Sequence, residues 1–339
     1  MMMTFKPANR ASLLVFLVIC TKQWHSNGIQ VDPPKEIKII DPGHFGYLEI
    51  TWTPPARLNN IQECPKLYQL EYFNAYAQRW EGIQTPQRTY SAQFDLMKDI
   101  HVRVYTLLGG HCTNNTWVKS LNYTEVVQKP GTGHLGNIVE NFTCVFENME
   151  HLTCKWHKNP KYPTNSHLYM YYWHKELENT EECPEYLLEN GIRIGCSFTG
   201  KPLPDFTDIN FCVNGSSAEG SLRHTYASLQ IQDCVKPGRA NKPDLKKGPQ
   251  AKFKLSWRKP VGNIPGHCLE WEVQHIKYGL RWKKESTIIP TMETEISLAL
   301  NKKVQNCFRI RSKLHRYCAK RSIWSEWSLK KCDSGAPVF

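Results

Sequence analysis

The stretch Trp324-Ser325-Glu326-Trp327-Ser328 lies near the carboxyl end, between Cys318 and Cys332. Tryptophans three residues apart would point to opposite faces of an ordinary strand, so a locally coiled backbone is needed to bring both indoles to one side. The preceding run predicts a strand with Arg309 and Arg311 on one face. We expect the two guanidinium groups to alternate with the indoles in a tryptophan–arginine ladder, with serine hydroxyls capping backbone groups of the strand. The alternative is a surface tryptophan pair without a special role.

Three tryptophans mark an internal repeat. Trp52, Trp156 and Trp257 each end an alternating apolar run that a proline then stops, and they lie 104 and 101 residues apart. Further alternating runs recur after each tryptophan, and helical periodicity is nowhere sustained. A period near 100 residues is typical of immunoglobulin-like and fibronectin type III sandwiches. The sequence therefore predicts an all-β fold of three tandem sandwich domains, at residues 29–130, 135–237 and 241–333, with a tail at 334–339.

Thirteen cysteines favour an oxidising compartment. Residues 1–26 resemble a signal peptide with a short apolar segment that contains Cys20, and its cleavage leaves an even number of cysteines in each predicted domain. The spacings suit pairs between Cys144 and Cys154 and between Cys183 and Cys196. Sequence leaves the other pairings open, and Cys212 and Cys234 could form a pair or remain buried thiols. The remaining predicted disulfide cysteines are Cys64, Cys112, Cys268, Cys307, Cys318 and Cys332.

Four N-glycosylation sequons, at Asn114, Asn122, Asn141 and Asn214, agree with secretion. No window after the leader has the roughly 18 to 20 uninterrupted apolar residues of a membrane span, so we expect a secreted, extracellular product. The net charge of +12 is spread over the whole chain without a nucleic-acid-binding motif, which argues against a nucleic-acid partner. Heparan-type glycans or an acidic face on a protein partner would explain the charge.

The residues give little support for catalysis. The sequence contains no nucleophile elbow, phosphate-binding glycine loop or zinc-protease motif. Histidines stand beside cysteines at His111-Cys112 and His267-Cys268, but no Cys-x-x-Cys pair accompanies them. In an oxidising compartment we expect these cysteines to form disulfides rather than zinc sites. We therefore expect a protein without metal, cofactor or enzymatic activity.

Several segments together resemble the class I cytokine receptors, in the group that includes the interleukin-13 and interleukin-5 receptor alpha chains. The resemblance runs in step from about residue 29 to residue 333. It is carried by Val31-Asp32-Pro33-Pro34, Ile40-Asp41-Pro42-Gly43-His44-Phe45-Gly46-Tyr47-Leu48, Phe94-Asp95-Leu96, Cys112-Thr113-Asn114, Cys212-Val213-Asn214-Gly215-Ser216-Ser217, Val235-Lys236-Pro237 and the Trp324 to Ser328 motif.

The resemblance implies a module that binds a four-helix-bundle cytokine. In this family the elbow, which is the junction of the second and third domains, grips the ligand, and an edge strand of the first domain adds a contact. Carried onto this sequence, the elbow residues are Phe206, Glu270, Tyr317 and Lys320, and the edge strand contains Trp80 and Ile83. Simple loop packing is the alternative for Phe206 and Tyr317.

Two departures from the family pattern matter. Lys320 stands where the family has an acidic residue after the Tyr-Cys pair, so either the partner has changed or the binding energy has moved to Glu270. No membrane anchor follows the third domain, and we therefore expect a decoy that withholds cytokine from signalling receptors. The alternatives are the ectodomain of a signalling subunit of the same family and an adhesion or matrix protein built of fibronectin modules.

Overall fold

The structure is a computed structural model that describes residues 30–60, 63–131, 139–158, 167–217, 220–248, 252–278, 284–301 and 303–333. The predicted leader and tail lie outside these ranges. In the described residues the regular structure consists of strands and short 3-10 turns, arranged as tandem β-sandwiches, which confirms the predicted fold class. Two compact units are present. The first comprises the first sandwich, and the second comprises the other two sandwiches together with the loops Asp41–Tyr47 and Gln93–Asp99.

The first sandwich has one sheet of order β1-β2-β5 and a second of order β4-β3-β6, where β7 and β8 both pair with β6. Alternation in β2 buries Leu48, Ile50 and Trp52, as the sequence predicts for a half-buried strand. The strands are β1 (Lys35–Ile40), β2 (Tyr47–Thr53), β3 (Lys66–Asn74), β4 (Arg79–Thr85), β5 (Thr89–Gln93), β6 (Ile100–Leu108), β7 (Val118–Lys119) and β8 (Thr124–Gln128), with 3-10 turns at Ala56–Asn60 and Gly110–Thr113.

The second sandwich pairs a sheet of order β13-β14-β10-β9-β18 with a sheet of order β12-β11-β15, to which β16 and β17 add. Its core packs Trp156, Tyr172, Phe198 and Phe211. The strands are β9 (Val139–Glu147), β10 (His151–Lys158), β11 (His167–Trp173), β12 (Glu181–Glu182), β13 (Glu185–Glu189), β14 (Ile192–Ser197), β15 (Ile209–Ser217), β16 (Gly220–Ser221), β17 (Thr225–Leu229) and β18 (Val235–Lys236), with a 3-10 turn at Ile231–Cys234.

The third sandwich has sheets of order β19-β20-β23 and β22-β21-β24-β25. Trp257 and Trp271 pack edge to face in its core, next to Phe308 and Ile310. The strands are β19 (Asp244–Lys247), β20 (Phe253–Ser256), β21 (Leu269–Tyr278), β22 (Lys284–Thr291), β23 (Glu295–Leu298), β24 (Gln305–Leu314) and β25 (Lys331–Cys332), with a 3-10 turn at Gly266–Cys268.

Five disulfides connect ten of the predicted cysteines, and both pairs that the spacing suggested are present. The bridges are Cys64–Cys112, Cys144–Cys154, Cys183–Cys196, Cys268–Cys318 and Cys307–Cys332.

The open alternative for Cys212 and Cys234 is resolved, because both are free thiols. Cys212 is buried at the middle of β15, between β11 and β17, and burial raises the pKa of its thiol to about 12. Burial also raises the pKa of Cys234, to about 11. An even count of cysteines in a domain therefore did not guarantee full pairing.

The elbow is held by Asn148, which has a left-handed backbone with φ of 54°. Its side-chain oxygen accepts a hydrogen bond from the Gly238 backbone N–H at 2.6 Å, and its backbone oxygen accepts one from Asn263 at 3.0 Å. Gly262 has φ of 130°, and a Cβ there would lie 2.5 Å from the Asn148 Cβ. These contacts join the two sandwiches through backbone groups and a close approach that requires glycine.

Candidate functional site

The structure brings the tryptophan–arginine ladder together on one face of β24. The Arg311 guanidinium lies between Trp324 and Trp327, 4.5 Å from each ring, and Arg309 lies 4.6 Å from Trp327. Lys313, which the sequence analysis did not include, extends the stack at 4.9 Å from Trp324. The three cations are two residues apart on one strand, so they project to the same side and can alternate with the indoles.

The serines of the motif take the place of a neighbouring strand. Ser325 donates its N–H to the Ser312 oxygen at 2.8 Å, while its hydroxyl accepts the Ser312 N–H at 3.0 Å. Ser328 makes the same pair of bonds with Ile310, at 2.8 and 3.0 Å. Both hydroxyls are buried, and they satisfy backbone groups of β24 that would otherwise face the motif without a partner. Glu326 faces outward and accepts a hydrogen bond from Lys236 at 3.1 Å.

Phe206 is presented on the second sandwich in a strained conformation. Its ring is 69% exposed and its φ is 54°, a left-handed value that is costly for a bulky residue. The Phe206 N–H donates a 3.0 Å hydrogen bond to the side-chain oxygen of Gln232, which is itself 3% exposed. A buried amide thus fixes an exposed aromatic ring, which is the arrangement expected of a binding anchor.

The residue after Gln232 positions the opposite loop. The Asp233 carboxylate accepts the backbone N–H groups of Lys320 at 2.8 Å and Arg321 at 3.4 Å. Gln232 and Asp233 belong to the same 3-10 turn. One short turn therefore holds the Phe206 loop of the second sandwich and the Lys320 loop of the third.

Tyr317 lies at the tip of the third-sandwich loop and is 82% exposed. Its ring packs on His315 with centroids 4.5 Å apart, and its N–H donates to His315 Nδ1. The disulfide from Cys268 to Cys318 closes this loop against the start of β21. The loop is therefore held on both sides of an exposed aromatic ring.

Glu270 does not face solvent as a free carboxylate. It pairs with Lys313 at 2.9 Å, and its second oxygen lies 3.9 Å from His315 Nε2. Because Lys313 is also stacked on Trp324, Glu270 connects the ladder to the His315–Tyr317 end of the loop. The sequence predicts Glu270 as a ligand contact at the elbow, and that stays a prediction; the structure adds that its carboxylate is paired with Lys313.

In the first unit, β4 occupies an edge of its sheet, as expected for the strand that contains Trp80 and Ile83. Trp80 is 41% exposed, and its ring lies 4.3 Å from the Arg103 guanidinium. Ile83 is half-buried opposite Leu70 of β3. The main chain of β4 is thus available on one side, while the Trp80 ring is occupied by an intramolecular stack.

The remaining predicted sites are placed as follows. Asn114, Asn122 and Asn141 are exposed, and Asn214 is half-buried. His111 lies near the Cys64–Cys112 bridge and His267 near the Cys268–Cys318 bridge, with the nitrogen and two sulfur atoms of each group within 4.8 Å of one another. Within each group the two sulfurs form a disulfide bond, so neither is a free thiolate.

Four residues that sequence reasoning missed support the exposed rings or their loops. Gln232, Asp233, His315 and Lys313 support the exposed rings without belonging to any recognisable motif. Their only sequence signal is proximity to the predicted anchors and to the second domain junction.

A search of the described residues for a long apolar helix that could span a bilayer finds none.

Several known proteins are similar to this chain over most of its length. A family model described as "Interleukin-6 receptor alpha chain, binding" matches residues 141–234. Interleukin-13 receptor subunit alpha-2 of Canis lupus familiaris is 33% identical over 327 residues, covering 95% of this chain and 83% of that protein. The Homo sapiens subunit of the same name is 33% identical over 309 residues, covering 91% and 80%. Interleukin-13 receptor subunit alpha-1 of Homo sapiens is 23% identical over 294 residues, covering 82% and 66%. These relatives confirm the resemblance found in the sequence: the chain belongs to the interleukin-13 receptor alpha-2 family of cytokine receptors, a non-enzymatic class.

Proposed function

We propose that this chain binds an interleukin-13-like cytokine at the elbow and withholds it from signalling receptors. The observation that supports the proposal best is the turn Ile231–Cys234, which positions two exposed aromatic rings that no core contact explains. Phe206 and Tyr317 have the form of interface anchors, since aromatic residues dominate binding hot spots. Interleukin-4-like cytokines are the second candidate ligand.

The strained backbone of Phe206 supports this assignment. A left-handed conformation costs about 1–2 kcal/mol for a residue with a side chain, and the hydrogen bond from the Phe206 N–H to Gln232 helps to hold it. Fixing the ring in advance lowers the entropy that a binding partner must offset. The same argument applies to Tyr317, which the disulfide and His315 hold in place.

We propose a second contact along the edge strand β4, where an extended cytokine segment would add a strand. Affinity in this mode comes from main-chain hydrogen bonds. Trp80 would act mainly by stiffening the strand, because its ring is stacked on Arg103. Hydrogen exchange of residues 79–85 tests this: cytokine should slow exchange of the outward amides, and unchanged exchange in a saturated complex would exclude the contact.

The elbow is tested by titrating the purified chain with recombinant interleukin-13 and interleukin-4. We expect submicromolar binding of at least one, weakened tenfold or more by Phe206→Ala or Tyr317→Ala. Leu188→Ala is the matched control, since Leu188 is also an exposed apolar side chain but lies on β13, at the opposite edge of its sheet from β18. If neither cytokine binds at submicromolar concentration, the proposal is wrong.

Withholding is tested separately, with cells that carry an interleukin-13-responsive reporter. Added chain should reduce the response in proportion to the cytokine bound. An unchanged response at saturating chain would contradict this part of the proposal while leaving binding intact.

Heparan-type glycans are proposed as an additional partner on the basis of the net charge of +12.

A further inference from the structure

The loop of residues 315–321, here called the cationic loop, carries three exposed cations around Tyr317: Arg316, Lys320 and Arg321. Arg316 lies 5.4 Å from the Tyr317 ring centroid. Among the described residues, none of these three side chains takes part in an ion pair. The charges of these three side chains are therefore not neutralised by any carboxylate in the part of the chain that the structure describes.

The two acidic residues that contact the cationic loop are already engaged. Asp233 accepts the backbone N–H groups of Lys320 and Arg321, which leaves the ends of those long side chains free. Glu270 is paired with Lys313 and faces His315. Moving Glu270 to meet a basic ligand group would leave Lys313, which is only partly exposed, without its carboxylate.

This arrangement favours the first of the two alternatives that Lys320 raised, a changed partner. The Glu270 carboxylate is already held in an internal ion pair with Lys313. We propose that the cationic loop binds an acidic protein surface, with carboxylates of the partner meeting Lys320 and Arg321 around a site for the Tyr317 ring. This inference rests on the proposed function, and it specifies that the cytokine presents acidic rather than basic residues to the third sandwich.

A protein surface fits the loop better than a sulfated glycan. Tyr317 is 82% exposed on the same loop as the three cations, and an aromatic anchor accompanied by charged residues is typical of protein interfaces. The loop is also fixed by the Cys268–Cys318 disulfide and by backbone bonds from Cys318 and Ala319 to the His315 oxygen. Exposed complementary charges of this kind act mainly on the association rate.

The test is the double charge reversal Lys320→Glu with Arg321→Glu, measured by binding kinetics with recombinant interleukin-13 at low and high salt. For the wild type we expect the association rate to fall as salt rises. The double reversal should lower the low-salt association rate about tenfold or more and flatten its salt dependence. The Asp233 hydrogen bonds go to backbone N–H groups, so they do not depend on the side chains that are changed.

The matched control is Lys246→Glu with Lys254→Glu. It makes the same change in net charge on the same sandwich, at exposed lysines paired with Asp244 and Glu295 on strands β19, β20 and β23. It should alter the association rate much less than the reversal in the cationic loop. Equal effects of the two reversals would show that only overall charge matters, and would contradict the inference.

A heparin fragment as competitor separates the glycan alternative. If the loop reversal abolishes heparin binding but leaves the interleukin-13 association rate unchanged, the loop is a glycan site and the inference is wrong. If wild type binds interleukin-13 and the loop reversal binds it with an unchanged association rate, the inference fails although the proposed function stands. If wild type binds neither interleukin-13 nor interleukin-4, the proposed function fails and the inference fails with it.

Discussion

Replacing Arg311 with alanine should destabilise the third sandwich more than the same change at Arg309. The guanidinium stacks on two indoles at 4.5 Å and donates from Nε at 2.8 Å to Glu272, with both side chains less than a third exposed. Two stacking contacts contribute about 1 kcal/mol each, and a partly buried Glu272 without its partner costs a further 1–3 kcal/mol, roughly. We expect a loss of about 3–5 kcal/mol.

Arg309 provides the internal comparison. It stacks on one indole at 4.6 Å and donates to Gln274, a neutral side chain, so Arg309→Ala should cost only about 1–2 kcal/mol. Arg311→Lys, which keeps the charge near Glu272 but not the planar stack, should fall between wild type and Arg311→Ala.

The measurement is native-state hydrogen exchange of β24 amides under mild denaturant, because it reports the opening of one domain in a multidomain chain. Replacing both arginines with alanine should also lower secretion yield and melting temperature while the surviving protein retains its binding geometry. Equal losses for Arg309→Ala and Arg311→Ala, or a wild-type-like Arg311→Lys, would refute the energetic account of the ladder. Normal folding of the double variant would do so too.

Three further predictions concern the site and its support. Phe206→Gly should leave melting temperature unchanged or slightly higher, since glycine tolerates φ of 54°, yet weaken cytokine binding at least about tenfold; normal binding would exclude Phe206 as an anchor. Gln232→Ala should raise the dissociation rate and speed exchange of the Phe206 amide, and an unchanged amide would show that Gln232 does not hold the loop. Burial lowers the pKa of His275, which lies against Asn306 and Phe308, below its ordinary value of 6.5. The unfolded chain therefore binds a proton first as pH falls below 6.5, so acid should destabilise wild type more than His275→Gln, and parallel pH profiles of stability would contradict this.

The parts of the structure that the sequence predicted are those set by local spacing. Strand alternation places Arg309 and Arg311 on one face, and the three-residue spacing of Trp324 and Trp327 requires a coiled segment, so the ladder could be inferred without coordinates. The tryptophan period likewise predicted tandem sandwiches.

The parts that sequence reasoning missed depend on contacts between distant segments. Gln232 and Asp233 act on backbone N–H groups that lie 26 and 87 residues away in the chain. Any residue offers such an N–H, so no side-chain pattern marks the pair in the sequence. The ion pair of Glu270 was missed for the same reason, because its partner Lys313 joins it only through the register of β21 with β24.

The ladder is not the only arginine–aromatic stack in the chain. Arg103 lies between Trp80 and Tyr123, at 4.3 and 4.9 Å, in the first unit. In the second sandwich, Arg193 lies between Tyr169 and Tyr186, at 4.5 and 3.9 Å. Each sandwich thus carries an arginine between two rings. Of the three stacks, only the third has its two rings within the same five-residue segment. Stacking as such is therefore a general means of stabilising these exposed sheet faces.

The third stack differs from the other two because further side-chain contacts extend from it to the cationic loop. Lys313 packs on Trp324 and pairs with Glu270, Glu270 faces His315, and the Tyr317 ring rests on His315. A continuous series of contacts thus joins the ladder to the exposed tip of the cationic loop. Arg309 and Arg311 lie farther along the stack, so their loss should weaken the fold without redirecting the loop. Lys313 is the residue of the ladder that connects it, through Glu270 and His315, to the Tyr317 end of the loop.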